Sequence, residues 1–427
     1  MTNELTVGEM TAVSPIAARE FATDVVRRLR AAGFEAVWAG GCVRDQLLGR
    51  EPKDYDVATN AAPDEVRQIF GRSRTLAIGE SFGVITLLGP KIAGQVEIAT
   101  FRQDAEYSDG RHPDEVNFSN AENDAQRRDF TMNGLFYDPL EQLVIDYVDG
   151  QPDIERKLVR AIGDPRQRIA EDKLRMLRAV RFAATFCFEL DADTAAAIRQ
   201  HAHEINVVSA ERIASEMRRI LMHPTRRRGV ELLSHVGLLA AILPEASRWC
   251  AVRNEETEAW LQIQHALGEA PFPLALAALL WPLAHEDAHV VGQVSRRWRL
   301  SNDEAQSASW ILAHEETLRN ARQVKWPRLQ RILISAHTAD GLKLATAVES
   351  ELTGDTPGTD LCRERLQLDS AVLNPPPLLT GDDLIAHGIR PGRDFKILLD
   401  AVRDSQLNQE ISSRDDAIQL VDRLRSS

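Results

Sequence analysis

The strand-forming signal in this chain stops near Gly150, and that change constrains the architecture more than any other feature. Before it, Phe34–Ala39, Asp54–Ala58, Val84–Leu88, Val96–Thr100 and Leu143–Tyr147 read as short strands rich in β-branched residues, separated by turn residues. Helical segments are interleaved with them. In residues 15–33, Ile16, Phe21, Val25, Val26 and Leu29 recur at helical spacing and Gly33 supplies a stop; Ala62–Phe70 reads the same way. Such alternation predicts one α/β domain on a single sheet over residues 15–150. Beyond it Ile154–Ala161, Arg168–Phe186, Asp193–His203, Ala210–Leu221 and Thr225–Val236 are predicted helices, and helical patterning continues to the end. Linkers fall near 150–165, 225, 350 and 374. They divide the helical part into 151–225, 226–350 and 351–427.

A chain of 427 residues exceeds one ordinary core, in keeping with several domains. The longest apolar run, Pro271 to Pro282, is too short to span a bilayer and reads as a buried helix, so no membrane partner is expected. Met1 to Ser14 has acidic residues and no basic stretch before an apolar one, which predicts no secretory signal. The four cysteines (42, 187, 250 and 362) form no CxxC pair and no disulfide-type spacing, which suits a reducing cytoplasm. A net charge of −13 excludes a generic nucleic-acid binder, and no DNA partner is expected. It leaves room for local docking of a polyanion. Arg156 to Arg181 holds nine Lys/Arg against three acidic residues, and Ile205 to Arg228 holds six against two.

The densest chemistry lies between Ala39 and Thr59. Gly40 and Gly41 follow a predicted strand and precede a helix, where free backbone N–H groups can cradle phosphate oxygens. Arg44, one turn on, can reach the same phosphates with a forked donor set. The spacing is not the GxGxxG of a dinucleotide site. Asp54 and Asp56, at i and i+2 on a predicted strand, point to one face. Paired carboxylates repel unless a cation lies between them, and Mg²⁺ takes such oxygens where substrate phosphates complete its shell. Asp54 and Asp56 are therefore the predicted metal ligands and catalytic residues. Glu97, on a later strand, is the candidate third carboxylate; its other reading is a solvent-facing strand residue.

Gly40-Gly-Cys-Val-Arg-Asp-Gln-Leu-Leu-Gly-Arg50, followed by Lys53-Asp-Tyr-Asp-Val-Ala-Thr59, resembles the signature of class II nucleotidyltransferases. These are the bacterial and eukaryotic CCA-adding enzymes and the bacterial poly(A) polymerases. Arg127-Arg-Asp-Phe-Thr-Met-Asn133 resembles their second motif. Glu171-Asp-Lys-Leu-Arg-Met-Leu-Arg-Ala-Val-Arg-Phe182 resembles their nucleotide-selecting helix, and Glu211–Met217 the stabilising motif after it. The resemblance implies an α/β catalytic head with a polymerase-β-like mixed sheet, then all-α neck, body and tail, with RNA binding in the tail. It implies Mg²⁺ as cofactor, ATP and CTP as substrates, and a tRNA or other RNA 3′ end as acceptor. Arg128 is assigned a ribose or triphosphate contact; Arg178 and Arg181 are assigned to phosphate or base-flanking contacts. Tyr107–Pro113 resembles the family's flexible loop, and Leu378–Arg393 its tail segment. Some members carry an HD-type phosphohydrolase domain. His285, His289 and His314 occur here without any His-Asp dipeptide, and no second hydrolase site is expected.

The base-selecting role has a physical basis. Asp172 and Arg175, three apart, are predicted neighbours on one helix face. An ionised Asp only accepts hydrogen bonds and Arg only donates. Cytosine and adenine each present an amine donor beside a ring-nitrogen acceptor, whereas uracil and guanine present the reverse. Buried polar mismatches discriminate strongly. Three readings compete with CCA addition: a poly(A) polymerase or A-adding enzyme with the same motifs, a non-catalytic RNA-binding module, and a nucleotidyltransferase acting on a small molecule.

Overall fold

The computed structural model describes residues 13–77, 83–104, 116–251 and 254–426; the loop expected at Tyr107–Pro113 lies outside the described residues. Chain contacts divide the protein into two compact units. One runs to Ile220 and includes Arg228–Cys250; the other comprises Leu221–Arg227 and everything from Ala251 onward.

The first unit opens with α1 (Pro15–Ala31), where Ser14 Oγ accepts the Ala17 N–H and Ala18, Ala22, Val25, Val26 and Leu29 are buried. It packs on a mixed sheet. The strands are β1 (Ala36–Ala39), β2 (Asp56–Thr59), β3 (Thr75–Leu76), β4 (Val84–Leu88), β5 (Gln95–Thr100), β8 (Phe136–Asp138) and β9 (Leu143–Ile145). A separate ribbon pairs β6 (Arg102–Asp104) with β7 (Val116–Phe118). The seven-stranded order is β3-β4-β5-β2-β1-β8-β9, and only β2 and β5 run parallel. That parallel pair sets Asp56 opposite Glu97. Helices α2 (Gly41–Leu47), α3 (Pro63–Phe70) and α4 (Ala121–Gln126) complete the head. One hydrophobic core joins Val37, Ala39, Ala58, Phe101, Ala125 and Phe136.

Helices α5 (Gly150–Glu155), α6 (Pro165–Glu171), α7 (Arg175–Phe186), α8 (Ala192–His201) and α9 (Ala210–Met222) follow. Two expectations are corrected here. The helix predicted over Ile154–Ala161 ends at Glu155, because Lys157 takes φ +55° and the chain turns into a strand, Leu158–Val159, pairing with Glu189–Leu190. The helix predicted over Arg168–Phe186 is two helices. Asp172 is extended (φ −148°, ψ 106°), and its Oδ1 accepts the Leu174 N–H, a local bond that competes with helix continuation.

The second unit is helical. Phe272–Ala284, the apolar run, has Leu274 through Leu280 buried and packs beside Asn302–Arg319, whose N-terminus carries a Ser301/Glu304 capping box. One core gathers Leu318, Leu329, Leu342 and Cys362; another, towards the C-terminus, gathers Leu384, Leu398, Val402 and Val421. His314 stacks on Trp310 and His285 meets the Trp281 edge, so both are packed against aromatic rings. No described helix is long and apolar enough to cross a membrane.

Candidate active site

The site begins where β1 ends. Gly40 takes φ 71° and ψ −119°, and an added Cβ would lie 2.8 Å from Arg128 Nη1. The positive φ demands glycine, and an added Cβ would also push the Arg128 tip aside. Gly40 donates its N–H to Leu135 O at 2.9 Å and caps α2 without a side chain, so the first-turn N–H groups of α2 have no capping side chain. Arg44, in that helix, is buried. Its Nη1 donates to Asn133 Oδ1 at 2.7 Å and its guanidinium lies 4.6 Å from the Phe186 ring centre.

Asp56 opens β2, and Asp54 occupies the bend before it rather than the strand itself, exposed where Tyr55 is buried. Burial, with Asp54 and Glu97 beside it, pushes the Asp56 carboxyl up to about 7 against the opposing pull of Arg128. Concentrated negative charge of this kind suits a divalent cation. Among the described residues no group of three or more His, Cys, Asp or Glu is arranged to hold a metal. Behind them Cys42 is buried, which pushes its thiol up to about 12.

A cavity of about 460 Å³ connects this corner to the start of α7. Of the residues singled out in the sequence, Gly40, Gly41, Arg44, Asp56, Arg128, Asp172, Arg175 and Arg178 line it. Asp54, Glu97 and Arg181 are not among the lining residues. Arg181 turns instead to Glu216, 2.7 Å away on α9, and burial draws its guanidinium down to about 10.

Asp172 and Arg175 therefore share the cavity by a different route from the one expected. They lie on either side of a helix break. Asp172 Oδ2 accepts from Arg212 Nη2 at 2.7 Å. Arg175 Nη1 donates to Glu171 and to Arg168 O, and its Nη2 donates to Arg127 O at 3.2 Å. Arg178 donates twice to Asp129 Oδ2, at 2.8 Å from Nε and 2.6 Å from Nη2. Burial alone would raise Asp129, but Arg178 and the Asn133 amide outweigh it and hold the carboxyl down at about 2.

Sequence reasoning missed Arg212, Phe182 and Arg127 as lining residues. Arg212 lay inside the Glu211–Met217 motif, and the available signal was an arginine following a carboxylate at the start of a helix. Asp129 and Asn133, inside the second motif, also line the cavity. They stand in and beside a 3₁₀ turn, Thr131–Asn133, and link Arg44 to Arg178.

A Gly-Gly turn, adjoining carboxylates on a mixed sheet, and an arginine-lined cavity reaching a fixed Asp and Arg define a nucleotidyltransferase. The family comparisons agree. Residues 36–160 match the poly A polymerase head domain, and 187–250 match the probable RNA and SrmB-binding site of polymerase A. The CCA-adding enzyme of Lactobacillus helveticus is 31% identical over 93% of this chain and 95% of its own. That of Geobacillus thermodenitrificans is 33% identical over the same shares. The crystal structure of the Bacillus stearothermophilus CCA-adding enzyme in complex with CTP superposes with a TM-score of 0.74 at 28% identity, covering 96% of this chain and 98% of that one. The chain belongs to the family of CCA-adding enzymes and poly(A) polymerases.

Proposed function

We propose that the chain is a CCA-adding enzyme, which extends the 3′ end of tRNA from CTP and ATP without a nucleic-acid template. The observation that carries this reading is the single cavity in which Gly40, Gly41 and Asp56 meet Asp172 and Arg175. Its long relatives named CCA-adding enzyme support that product over poly(A). Residues 15–150 serve as catalytic head, 151–225 as neck, 226–350 as body and 351–427 as an RNA-binding tail. The isolated cysteines suit a cytoplasmic location.

Asp54 and Asp56 would hold Mg²⁺, which supplies charge neutralisation at the transferring phosphate. Glu97, opposite Asp56, adds a third carboxylate to that charge. The α2 backbone amides, Arg44 and Arg128 bind the triphosphate. Arg178, fixed by Asp129, lines the same cavity and contacts phosphate or the base flank. Asp172 uses one lone pair on each oxygen for Leu174 and Arg212, leaving a second to accept the amine of cytosine or adenine. Arg175 donates to the ring nitrogen beside it. The RNA 3′-hydroxyl gives up its proton to water and attacks the α-phosphate, breaking the α–β phosphoanhydride bond and releasing pyrophosphate, with rate gained from positioning.

Single-nucleotide extension of a tRNA acceptor with each NTP alone tests the reading. CTP and ATP are incorporated on the appropriate acceptors and UTP and GTP are not; equal use of all four would overturn it.

A further inference from the structure

We infer that Asp124, outside the cavity, is a positioning residue that sets the two arginines on the cavity's phosphate side. Its carboxylate is 2% exposed, on α4. One oxygen accepts from Arg127 Nε at 2.8 Å and Nη2 at 2.6 Å. The other accepts from Arg128 Nε at 3.2 Å and Nη2 at 2.9 Å. Two adjacent guanidinium forks thus converge on one buried carboxylate, and neither can turn without breaking a paired bond.

Each arginine has a second anchor. Arg128 Nη1 donates to Asn133 O at 3.3 Å and stands where a Gly40 side chain would be. Arg127 Nε also donates to Arg102 O, and its own carbonyl accepts from Arg175 Nη2. Asp124 Oδ1 lies 3.4 Å from the Arg102 amide as well. One carboxylate therefore fixes the arginine that faces the phosphate loop and the carbonyl that accepts from the base-selecting Arg175. Without it, two guanidinium groups would repel each other beside the cavity and swing away from the nucleotide. Asp124 itself touches no substrate.

This rests on the nucleotidyl-transfer reading and not on the product. The test titrates CTP and ATP against the full chain without RNA, and measures KM and kcat with an acceptor. Asp124→Asn weakens binding of both nucleotides about tenfold, on the order of 1.4 kcal/mol, with a smaller change in kcat. In an Arg127→Gln/Arg128→Gln background the same substitution produces no further loss of affinity. Unchanged affinity in folded Asp124→Asn, or an equal loss in both backgrounds, overturns the inference. If Asp124→Asn does not fold, Asp124→Glu decides. It keeps the charge and displaces the forks by one methylene, so weakened binding supports the role and wild-type binding refutes it. Absence of CTP and ATP binding by the wild-type chain would instead fault the parent reading.

Discussion

Replacing Asp129 by Asn removes the charge that anchors Arg178 while keeping the side-chain shape. The Asp129 carboxyl is nearly buried and held at about 2 by Arg178 and Asn133. Against an unfolded value of about 3.9 that is a depression equivalent to roughly 2–3 kcal/mol. Arg178 is itself about a third exposed, so solvent shares its charge and the expected loss is about 2 kcal/mol. A depressed carboxyl contributes stability that is present above its unfolded pKa and lost as pH falls through the folded one. The gap between wild type and Asp129→Asn should therefore be full at neutral pH and close only between about pH 4 and 2. Urea unfolding read by pulsed hydrogen exchange on peptides spanning 121–145 reports this region separately from the second unit. A loss below about 0.5 kcal/mol at neutral pH would refute the reasoning, as would a gap that stays open through the acid range.

Three further outcomes are expected. Gly40→Ala forces a side chain into a φ of 71° against Arg128; strain of about 1–3 kcal/mol should appear as a lower melting temperature, with a raised KM for both nucleotides in steady-state assays. Asp172→Ala removes the acceptor and releases Arg212, so discrimination of ATP over GTP should fall on the order of 100-fold in single-nucleotide incorporation while melting changes little. Asp54→Ala should abolish transfer and lower the Mg²⁺ dependence of nucleotide binding in titration, with native-like circular dichroism, because Asp54 is exposed and outside the core.

Much of the head was legible because local and long-range signals coincide there. Val84–Leu88 appears as a strand with its expected bounds, and the Gly-Gly turn occupies the strand-to-helix junction that its spacing implied. The pairing of Asp56 with Glu97 was not legible. It depends on β2 and β5 running parallel in register, and the forty residues between them do not encode that register locally. The break at Asp172 was hidden for another reason. Ile169, Met176 and Val180 keep a helical apolar spacing across it, while the decisive bond is a side chain accepting the N–H two residues on. Arg181 shows the limit of carrying a motif over whole. On α7 it lies about 120° around the helix from Arg175, and Glu216, far off in sequence, captures it. Asp124 was invisible to motif reading because it contacts only other side chains and backbone.

The most direct test of the account supplies the purified chain with Mg²⁺, CTP and ATP together, and tRNA ending before CCA, before CA or before A. Sequenced products should all end in a single completed CCA and grow no further. Continued addition of A beyond that point would contradict the account and make the protein a poly(A) polymerase.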